Sequence, residues 1–311
     1  MNRSSKGQWQ NQVSLLLKVL PIVFKESCFA LKGGTAINLF VRNMPRLSVD
    51  IDLAYLSNEP RADAIPHIQD ALKRIASQLI MQWPGLSVHK SFEGKADSLK
   101  LILIEQGVTV KVELSPVLRG TVFEAEVRVV VPQVEDEFGY AKVPVVSLPD
   151  LYGGKICAAL DRQHPRDLFD VHLLLQNEGV TESIRKAFLV YLLSHPRPMV
   201  ELLRPRLKDL TTLYANELSG MTSLPTTLEE LTLSFKQLVR LLQTGITQEE
   251  KELLVSVMRG EPQWNLLGIS GYNDLPAVKW KMQNIAQMDV SKRNQAVQEL
   301  ETILRSNEPW L

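Results

Sequence analysis

The sequence predicts an α+β fold in which a mixed or antiparallel sheet is followed by a helical domain. Three β-like runs follow one another between residues 87 and 114, and two amphipathic helical patterns precede them. From about residue 178 the pattern becomes almost wholly helical. Strands gathered in one part of a chain and helices in another are typical of the α+β class. We therefore expect an α+β domain over residues 1–175 and a helical domain over residues 176–311.

The composition is that of a globular protein without a dominant charge. Hydrophobic residues make up 45% of the 311 residues, enough for sizeable cores, and 35 Lys and Arg side chains balance 35 Asp and Glu. Residues 1–49 nevertheless contain seven basic side chains against the single acid Glu26. This local excess suits a polyanion such as RNA, although most such clusters are solvated helix faces. The seven are Arg3, Lys6, Lys18, Lys25, Lys32, Arg42 and Arg46.

Cysteine usage and hydropathy exclude several classes of protein. Only Cys28 and Cys157 occur, and without a repeated spacing they predict neither a disulfide framework nor a structural zinc site. The apolar run at residues 13–23 is interrupted by Lys18 and Pro21, so we expect no signal peptide. No uninterrupted stretch of about 18 apolar residues occurs, so we expect no membrane association. These observations favour a cytoplasmic protein.

The elements can be assigned in chain order from periodicity and breakers. Residues 7–27 predict a helix, and Gly33-Gly34 start a second helix that closes before Pro45. A strand with Asp50 and Asp52 follows. The later expected elements are a helix over residues 64–81, β-like runs at 87–92, 98–105, 108–114 and 127–131, and a helix that Thr247 opens and Gly260 ends.

Asp50 and Asp52 form the first candidate site. In an extended strand, Val49, Ile51 and Leu53 share one face and the two aspartates share the other. The carboxylates then lie ~6.6 Å apart along the strand, a spacing that can hold one or two divalent cations. An Asp-x-Asp sequence alone is more often structural, so its context decides.

That context is a glycine pair upstream. Gly33 and Gly34 lack Cβ atoms, which lets a backbone approach a phosphate closely, and Thr35 adds a hydroxyl. We call these three residues the glycine cradle. A phosphate cradle followed by a metal-binding pair is the minimum equipment for phosphoryl or nucleotidyl transfer.

Another carboxylate, that of Glu113, lies on the strand predicted at residues 108–114. The alternation along this strand places Val110 and Val112 on one face and Lys111 and Glu113 on the other. A site that holds two cations ~3.5–4 Å apart needs such a third carboxylate on a neighbouring strand. An exposed Glu113 beside Lys111, without any metal, is the alternative.

A second block of polar residues lies between residues 147 and 170. Ser147 or Pro149 can start a helix, on which Lys155 and Arg162 share a face because they are seven positions apart. Pro165 breaks this helix, and Arg166-Asp167 open the next one. Arg-Asp pairs at such places often only lock two helices together.

Both blocks resemble one family. Gly-Gly-Thr-Ala at residues 33–36, followed by Arg46-x-Ser48-x-Asp50-Ile-Asp52-Leu, resembles the DNA polymerase β-like nucleotidyltransferase superfamily, and most closely the AbiEii/AbiGii toxin family. The helical Lys155 and the Arg-x-x-x-Arg-Asp-Leu-Phe-Asp sequence at residues 162–170 are similar to the second motif of that family. The resemblance extends more loosely to the region around Trp264 and Trp280, which are expected in the core.

The resemblance implies a nucleotidyltransferase toxin that moves an NMP from an NTP to an acceptor hydroxyl and releases pyrophosphate. It implies Mg²⁺ (or Mn²⁺) as cofactor, a cognate antitoxin as partner, a role in phage defence, and an RNA acceptor such as the 3′ end of tRNA. The implied metal ligands are Asp50, Asp52 and Glu113. The implied catalytic set adds Lys155 and Asp167, and the implied nucleotide-binding set is Gly33, Gly34, Thr35, Ser48, Lys155, Arg162 and Arg166.

Three alternatives stay open at this point. A catalytically silent member would bind a nucleotide or RNA as a partner module without releasing pyrophosphate. The acceptor could be a protein side chain instead of RNA. Aspartyl-phosphate phosphatases also carry Asp-x-Asp after an apolar strand, but Leu53 and Ala54 follow here and a glycine cradle precedes, which disfavours that class.

Overall fold

A seven-stranded mixed sheet organises the first of two units into which the chain divides. The computed structural model describes residues 3–306 and 308–311, with side chains from residue 9 onward. The sheet unit comprises Met1–Ser147 and Gly220–Pro225, and the helical unit comprises Leu148–Ser219 and Thr226–Leu311. The side chains of Arg3 and Lys6, two of the seven N-terminal basic residues, lie outside the described part.

The sheet unit alternates helices and strands. Its helices are α1 (Arg3–Val23), α2 (Gly33–Phe40), α3 (Arg61–Gln82) and α4 (Pro132–Phe138). Its strands are β1 (Phe29–Lys32), β2 (Ile51–Tyr55), β3 (Ser87–Lys90), β4 (Lys100–Glu105), β5 (Val108–Leu114), β6 (Glu126–Val129) and β7 (Lys142–Val145).

The strand order in the sheet is β3-β4-β5-β2-β1-β7-β6. Strand β2 pairs parallel with β5 and antiparallel with β1, and β1 pairs parallel with β7. The remaining pairs are antiparallel. The predicted α+β class with a mixed sheet is therefore confirmed. Strand β2 lies at the centre of the sheet, so the Asp-x-Asp sequence spans the start of a buried strand.

Some element boundaries differ from the prediction. Strand β5 has the predicted bounds, and a hairpin turn at Gln106-Gly107, both with positive φ, joins it to β4. Helix α1 ends at Val23 and not at residue 27. Strand β2 begins at Ile51, so Asp50 lies in the preceding loop and not in the strand. Strand β7 (4 residues) and helix α4 (7 residues) were not expected, because such short elements have too few positions to show a periodic pattern in the sequence.

The helical unit contains the remaining helices. They are α5 (Leu148–Arg162), α6 (Pro165–Gln176), α7 (Glu182–Ser194), α8 (Met199–Leu203), α9 (Thr211–Glu217), α10 (Leu228–Gly245), α11 (Gln248–Arg259), α12 (Pro276–Ala286) and α13 (Val290–Arg305). Thr247 and Glu250 form the predicted capping box of α11, and Gly260 ends that helix in the left-handed region with φ 85°.

Helix α5 packs chiefly against α7, which explains why the units divide at Ser147 and not at residue 175. A Cβ atom on Gly153 would lie 2.8 Å from Cβ of Ala187 and from the backbone nitrogen of Phe188. Only glycine therefore allows α7 to approach α5 this closely. Gly153 in the second sequence block thus has a packing role.

Helix α12 corrects one expectation. Trp280 is 45% exposed, so its assignment to the core is wrong, whereas Trp264 packs edge-on against Tyr272. The buried neighbour is Lys281, whose ammonium donates to the carbonyl oxygens of His195 (2.8 Å) and Arg197 (3.0 Å). A lysine that satisfies carbonyls just beyond the end of α7 thus occupies the inner position.

None of the helices in the described part of the chain combines the length and the apolar content that a membrane crossing requires.

Candidate active site

Four charged residues form one row across four adjacent strands of the sheet. Lys32 on β1 is directly opposite Asp52 on β2, and Asp52 is opposite Glu113 on β5. Glu113 is in turn opposite Lys100 on β4. Directly opposed residues project from the same face of a sheet, about 5 Å from one neighbour to the next. This charged row places two carboxylates side by side and one lysine at each end.

The two lysines interact with the carboxylates between them. The ammonium of Lys100 lies 2.6 Å from Oε2 of Glu113, and both side chains are about one third exposed (33% and 37%). Burial lowers the pKa of Lys32, and the charges of Asp52 and Glu113 oppose that shift. The row therefore contains one lysine for each carboxylate.

Gly33 is required by the position of Asp52. It adopts φ +75°, and a Cβ atom at this residue would lie 2.3 Å from Oδ2 of Asp52. The carboxylate of Asp52 thus lies directly against the first residue of α2. A helix N-terminus favours negative charge. It therefore stabilises the carboxylate of Asp52, and it would also stabilise a phosphate bound close by.

Gly34 is required by two other side chains. A Cβ atom there would lie 2.6 Å from Oγ of Ser48 and 2.7 Å from Nη2 of Arg46. Arg46 is buried and donates from Nη1 to the carbonyl oxygen of Leu47 (3.0 Å). The loop that carries Arg46 is supported by the Gly220–Pro225 segment, because Thr222 forms a β-bridge with Arg46.

Thr35 holds the loop that carries Asp50. Its Oγ1 donates to the carbonyl oxygen of Asp50 at 2.5 Å and lies 3.2 Å from Oγ of Ser48. The side chain is completely buried. The hydroxyl expected to contact a phosphate is thus engaged inside the protein, and it positions Asp50.

The acidic side chains at and beside the charged row carry the type of donor atom that divalent cations prefer. Asp52 and Glu113 supply hard carboxylate oxygens from adjacent strands, and Asp50 directly precedes β2. In residues 3–306 and 308–311, however, no three His, Cys, Asp or Glu side chains are grouped closely enough to hold a metal ion. The carboxylate of Glu113 is instead paired with the ammonium of Lys100.

The second set of predicted residues meets in the helical unit. Lys155 on α5 lies 2.8 Å from Oδ1 of Asp167 and 3.1 Å from Oδ2 of Asp170, both on α6. Arg162 contacts both carboxylate oxygens of Asp167, at 2.5 and 3.1 Å. The two aspartates are almost completely buried and Lys155 is 9% exposed, whereas Arg162 is 61% exposed.

These contacts assign a role to Asp167. Burial by itself would raise the pKa of its carboxyl, but the charges and hydrogen bonds of Lys155 and Arg162 outweigh it and hold that pKa well below its usual range. A buried carboxylate with both oxygens occupied is a poor proton acceptor. The geometry agrees instead with a role of Asp167 in orienting Lys155 and Arg162.

Arg166 does not join this cluster. Its Nη2 lies 2.5 Å from Oε2 of Glu217 on α9, and Nε2 of His164 lies 3.0 Å from the same oxygen. His164 is also the N-cap of α6, since its Nδ1 accepts a hydrogen bond from the backbone N–H of Arg166 (3.1 Å). Arg166 therefore links α6 to α9, the structural role considered for it from sequence.

A protein-family model matches most of the chain. The family model for the AbiEii toxin, a nucleotidyltransferase of type IV toxin–antitoxin systems, matches residues 14–283. The chain belongs to the AbiEii family. No curated protein matches it.

A solved structure supports the AbiEii fold. MenT4, a nucleotidyltransferase toxin from Mycobacterium tuberculosis, is similar to this AbiEii protein with a TM-score of 0.59. The alignment covers 96% of this chain and 94% of MenT4 at 14% sequence identity. At this identity the likeness concerns the fold alone.

Sequence reasoning missed three charged residues of this AbiEii protein. Asp170 binds Lys155, and its position three residues after Asp167, on the same face of α6, was an available signal. Lys32 and Lys100 complete the charged row, but only the strand register reveals them. The cysteines are both free; Cys157 is buried and Cys28 is partly exposed.

Proposed function

We propose that this AbiEii toxin transfers a nucleoside monophosphate from an NTP to a hydroxyl at the 3′ end of tRNA. The observation that carries the proposal is the opposition of Asp52 and Glu113 across β2 and β5, with Asp52 against the N-terminus of α2. Carboxylates that can hold a cation lie here beside a helix end that favours phosphate. A cation site beside a helix end that favours phosphate would support nucleotidyl transfer.

In the proposed reaction the acceptor hydroxyl oxygen forms a bond to the α-phosphorus of the NTP. The bond from that phosphorus to the oxygen that bridges to the β-phosphate breaks, pyrophosphate leaves, and the hydroxyl proton passes to water. Asp50, Asp52 and Glu113 would hold Mg²⁺ or Mn²⁺. When bound, the cation would lower the pKa of the attacking hydroxyl and neutralise charge on the departing pyrophosphate.

The protein's own groups would orient the nucleotide. Backbone N–H groups of Gly33, Gly34 and Thr35 would receive phosphate oxygens, while Ser48 and the Thr35 hydroxyl hold the cradle in shape. We propose that the exposed guanidinium of Arg162, whose orientation Asp167 fixes, is a phosphate-binding group of the helical unit considered by itself. Lys155 then acts through Asp167 and Asp170 as a positioning residue.

The test is transfer of label from each of the four α-³²P-labelled NTPs to total tRNA in the presence of Mg²⁺. We expect one or more of them to label RNA, and Asp52→Asn to lower the rate by at least ~10²-fold. Asp63→Asn, which removes an exposed aspartate of α3, is the matched control and should retain activity.

Other outcomes would select the alternatives. Label that resists ribonuclease and migrates with a polypeptide would show a protein acceptor and overturn the tRNA proposal. NTP binding without release of pyrophosphate, for every NTP, would show a silent partner module. Full activity of Asp52→Asn would refute the assignment of the site.

A further inference from the structure

The two lysines of the charged row have no role in the proposed reaction, although they flank its carboxylates. The charges run Lys32, Asp52, Glu113, Lys100 across four neighbouring strands. Lys100 makes a direct 2.6 Å ion pair with Glu113. The charge of Lys32 interacts with both Asp52 and Glu113. Lys100 therefore neutralises a carboxylate that a divalent cation would need, and Lys32 lies directly opposite the other one.

We propose that Lys32 and Lys100 are positioning residues that make cation binding conditional on the nucleotide. This inference rests on the proposed function, because it concerns the same carboxylates. A free cation must displace the ammonium of Lys100 from Glu113 and bind close to the side chain of Lys32 as well. A cation that arrives with a triphosphate brings negative oxygens that the displaced ammonium groups can bind.

The geometry agrees with such an exchange. Lys100 and Glu113 are each about one third exposed, so the ion pair can open into solvent without burying an unpaired charge. Lys32 is the residue immediately before the glycine cradle and stands at the N-cap of α2. Its ammonium therefore belongs to the same stretch of chain as the backbone N–H groups proposed to receive phosphate.

The exchange predicts opposite effects on two ligands. Removing either lysine lowers the competition for the carboxylates, so free Mn²⁺ should bind more tightly. The same change removes a cation from the phosphate position, so a triphosphate without metal should bind more weakly. Coupling between two ligands is reciprocal, so the cooperativity between Mn²⁺ and triphosphate should also fall. A lysine that only stabilised the fold would weaken both ligands together.

The experiment measures two dissociation constants on the full-length protein by isothermal titration calorimetry. The probes are Mn²⁺ alone and tripolyphosphate in EDTA, which avoids any assumption about the base. For Lys100→Met we expect the Mn²⁺ dissociation constant to fall by about 3- to 5-fold, the upper range for a partly exposed ion pair, and the tripolyphosphate constant to rise by a similar factor. Lys32→Met should change both constants in the same directions.

Two controls make the result specific. Lys90 at the end of β3 forms a comparable ion pair (3.0 Å) with Glu93 in the turn that follows. Lys90→Met should leave both dissociation constants unchanged. Lys100→Arg and Lys32→Arg keep the charge and should stay close to the wild-type values. If Lys32→Met fails to fold, Lys100→Met, at a partly exposed residue, decides the inference by itself. If both affinities weaken in the Met variants, or neither changes, the inference is overturned.

Failure of the inference is distinguishable from failure of the proposed function. If the wild-type protein binds Mn²⁺ and tripolyphosphate but the Met variants do not shift them in opposite directions, only the role of the lysines is wrong. If the wild-type protein binds neither probe at millimolar concentration, the proposed site itself is wrong and the inference falls with it.

Discussion

Gly33 and Asp52 are packed so closely that no side chain at residue 33 is compatible with the observed position of the carboxylate. A Cβ atom there would lie 2.3 Å from Oδ2 of Asp52, well inside van der Waals contact. The glycine therefore positions a carboxylate of the protein as well as providing the close backbone approach that a phosphate needs. The cradle and the acidic pair, which are separate motifs in the sequence, are one packed unit in the fold.

Gly33→Ala should therefore abolish nucleotidyl transfer. This loss should be larger than the loss of stability alone would cause. Alanine at φ +75° costs about 1–2 kcal/mol in backbone conformation, and the clash displaces the Asp52 carboxylate in addition. Gly107→Ala is the matched control, because Gly107 has φ +80° and no atom within 4 Å of an added Cβ. Both variants should lose similar stability from strain in thermal melts, but only Gly33→Ala should lose nucleotidyl transfer. Equal activity in the two variants would contradict the coupling of Gly33 to Asp52.

Lys155→Met should destabilise the helical unit strongly. It would remove the ammonium that contacts the buried carboxylates of both Asp167 and Asp170, and breaking a buried ion pair costs about 3–5 kcal/mol. The double variant Lys155→Met/Asp170→Asn removes one charge of each sign and should recover part of that loss. Urea denaturation of the two single variants and the double variant measures the coupling. Strict additivity of the two changes would show that the Lys155–Asp170 contact contributes no stability.

The pH dependence of stability should contain a contribution from His164. Burial and the neighbouring charge of Arg166 lower its pKa below the usual value of 6.5, although Glu217 and Asp167 act in the opposite direction. Because the folded pKa is lower than the unfolded pKa, the folded state binds the proton less readily. The stabilisation is fully present above about pH 6.5 and is lost as the pH falls below it toward the folded pKa.

His164→Asn tests this assignment. Asparagine keeps an acceptor at the N-cap of α6, worth on the order of 1 kcal/mol, but does not titrate. The difference in the free energy of unfolding between wild type and His164→Asn should thus change between pH 8 and pH 5, in favour of the variant at low pH. A difference that stays constant over this range would show that His164 does not titrate with folding.

The sequence was sufficient where the pattern is local. The alternation at residues 108–114 predicted β5 with its observed bounds, and the capping box at Thr247 predicted the start of α11. The pairing of β2 with β5 joins residues about 60 positions apart in sequence, and no local pattern specifies that register. Glu113 was therefore selected by resemblance, and its opposition to Asp52 became visible only in the fold.

The same limit explains the parts that sequence analysis missed. Lys32 and Lys100 look like ordinary surface lysines until strand pairing places them at the ends of one row. Thr35 was assigned to phosphate because of its place after two glycines, but its hydroxyl bonds the Asp50 carbonyl across 15 residues. Hydrogen-bond partners of this kind depend on tertiary structure, so residue type and spacing alone cannot identify them.

The Gly220–Pro225 segment has a consequence for how the protein is made. Its Thr222 bridges to Arg46, and the backbone N–H of Ser223 donates to the carbonyl oxygen of Pro45 (2.8 Å). During translation, residues 45–46 leave the ribosome long before residues 222–223, by roughly ten seconds or more at rates of ~5–20 residues per second. The loop that packs on Gly34 thus acquires its last partner only after α5 to α9 have been synthesised, so a nascent or truncated chain that ends near residue 175 would carry the acidic motif without the segment that braces it.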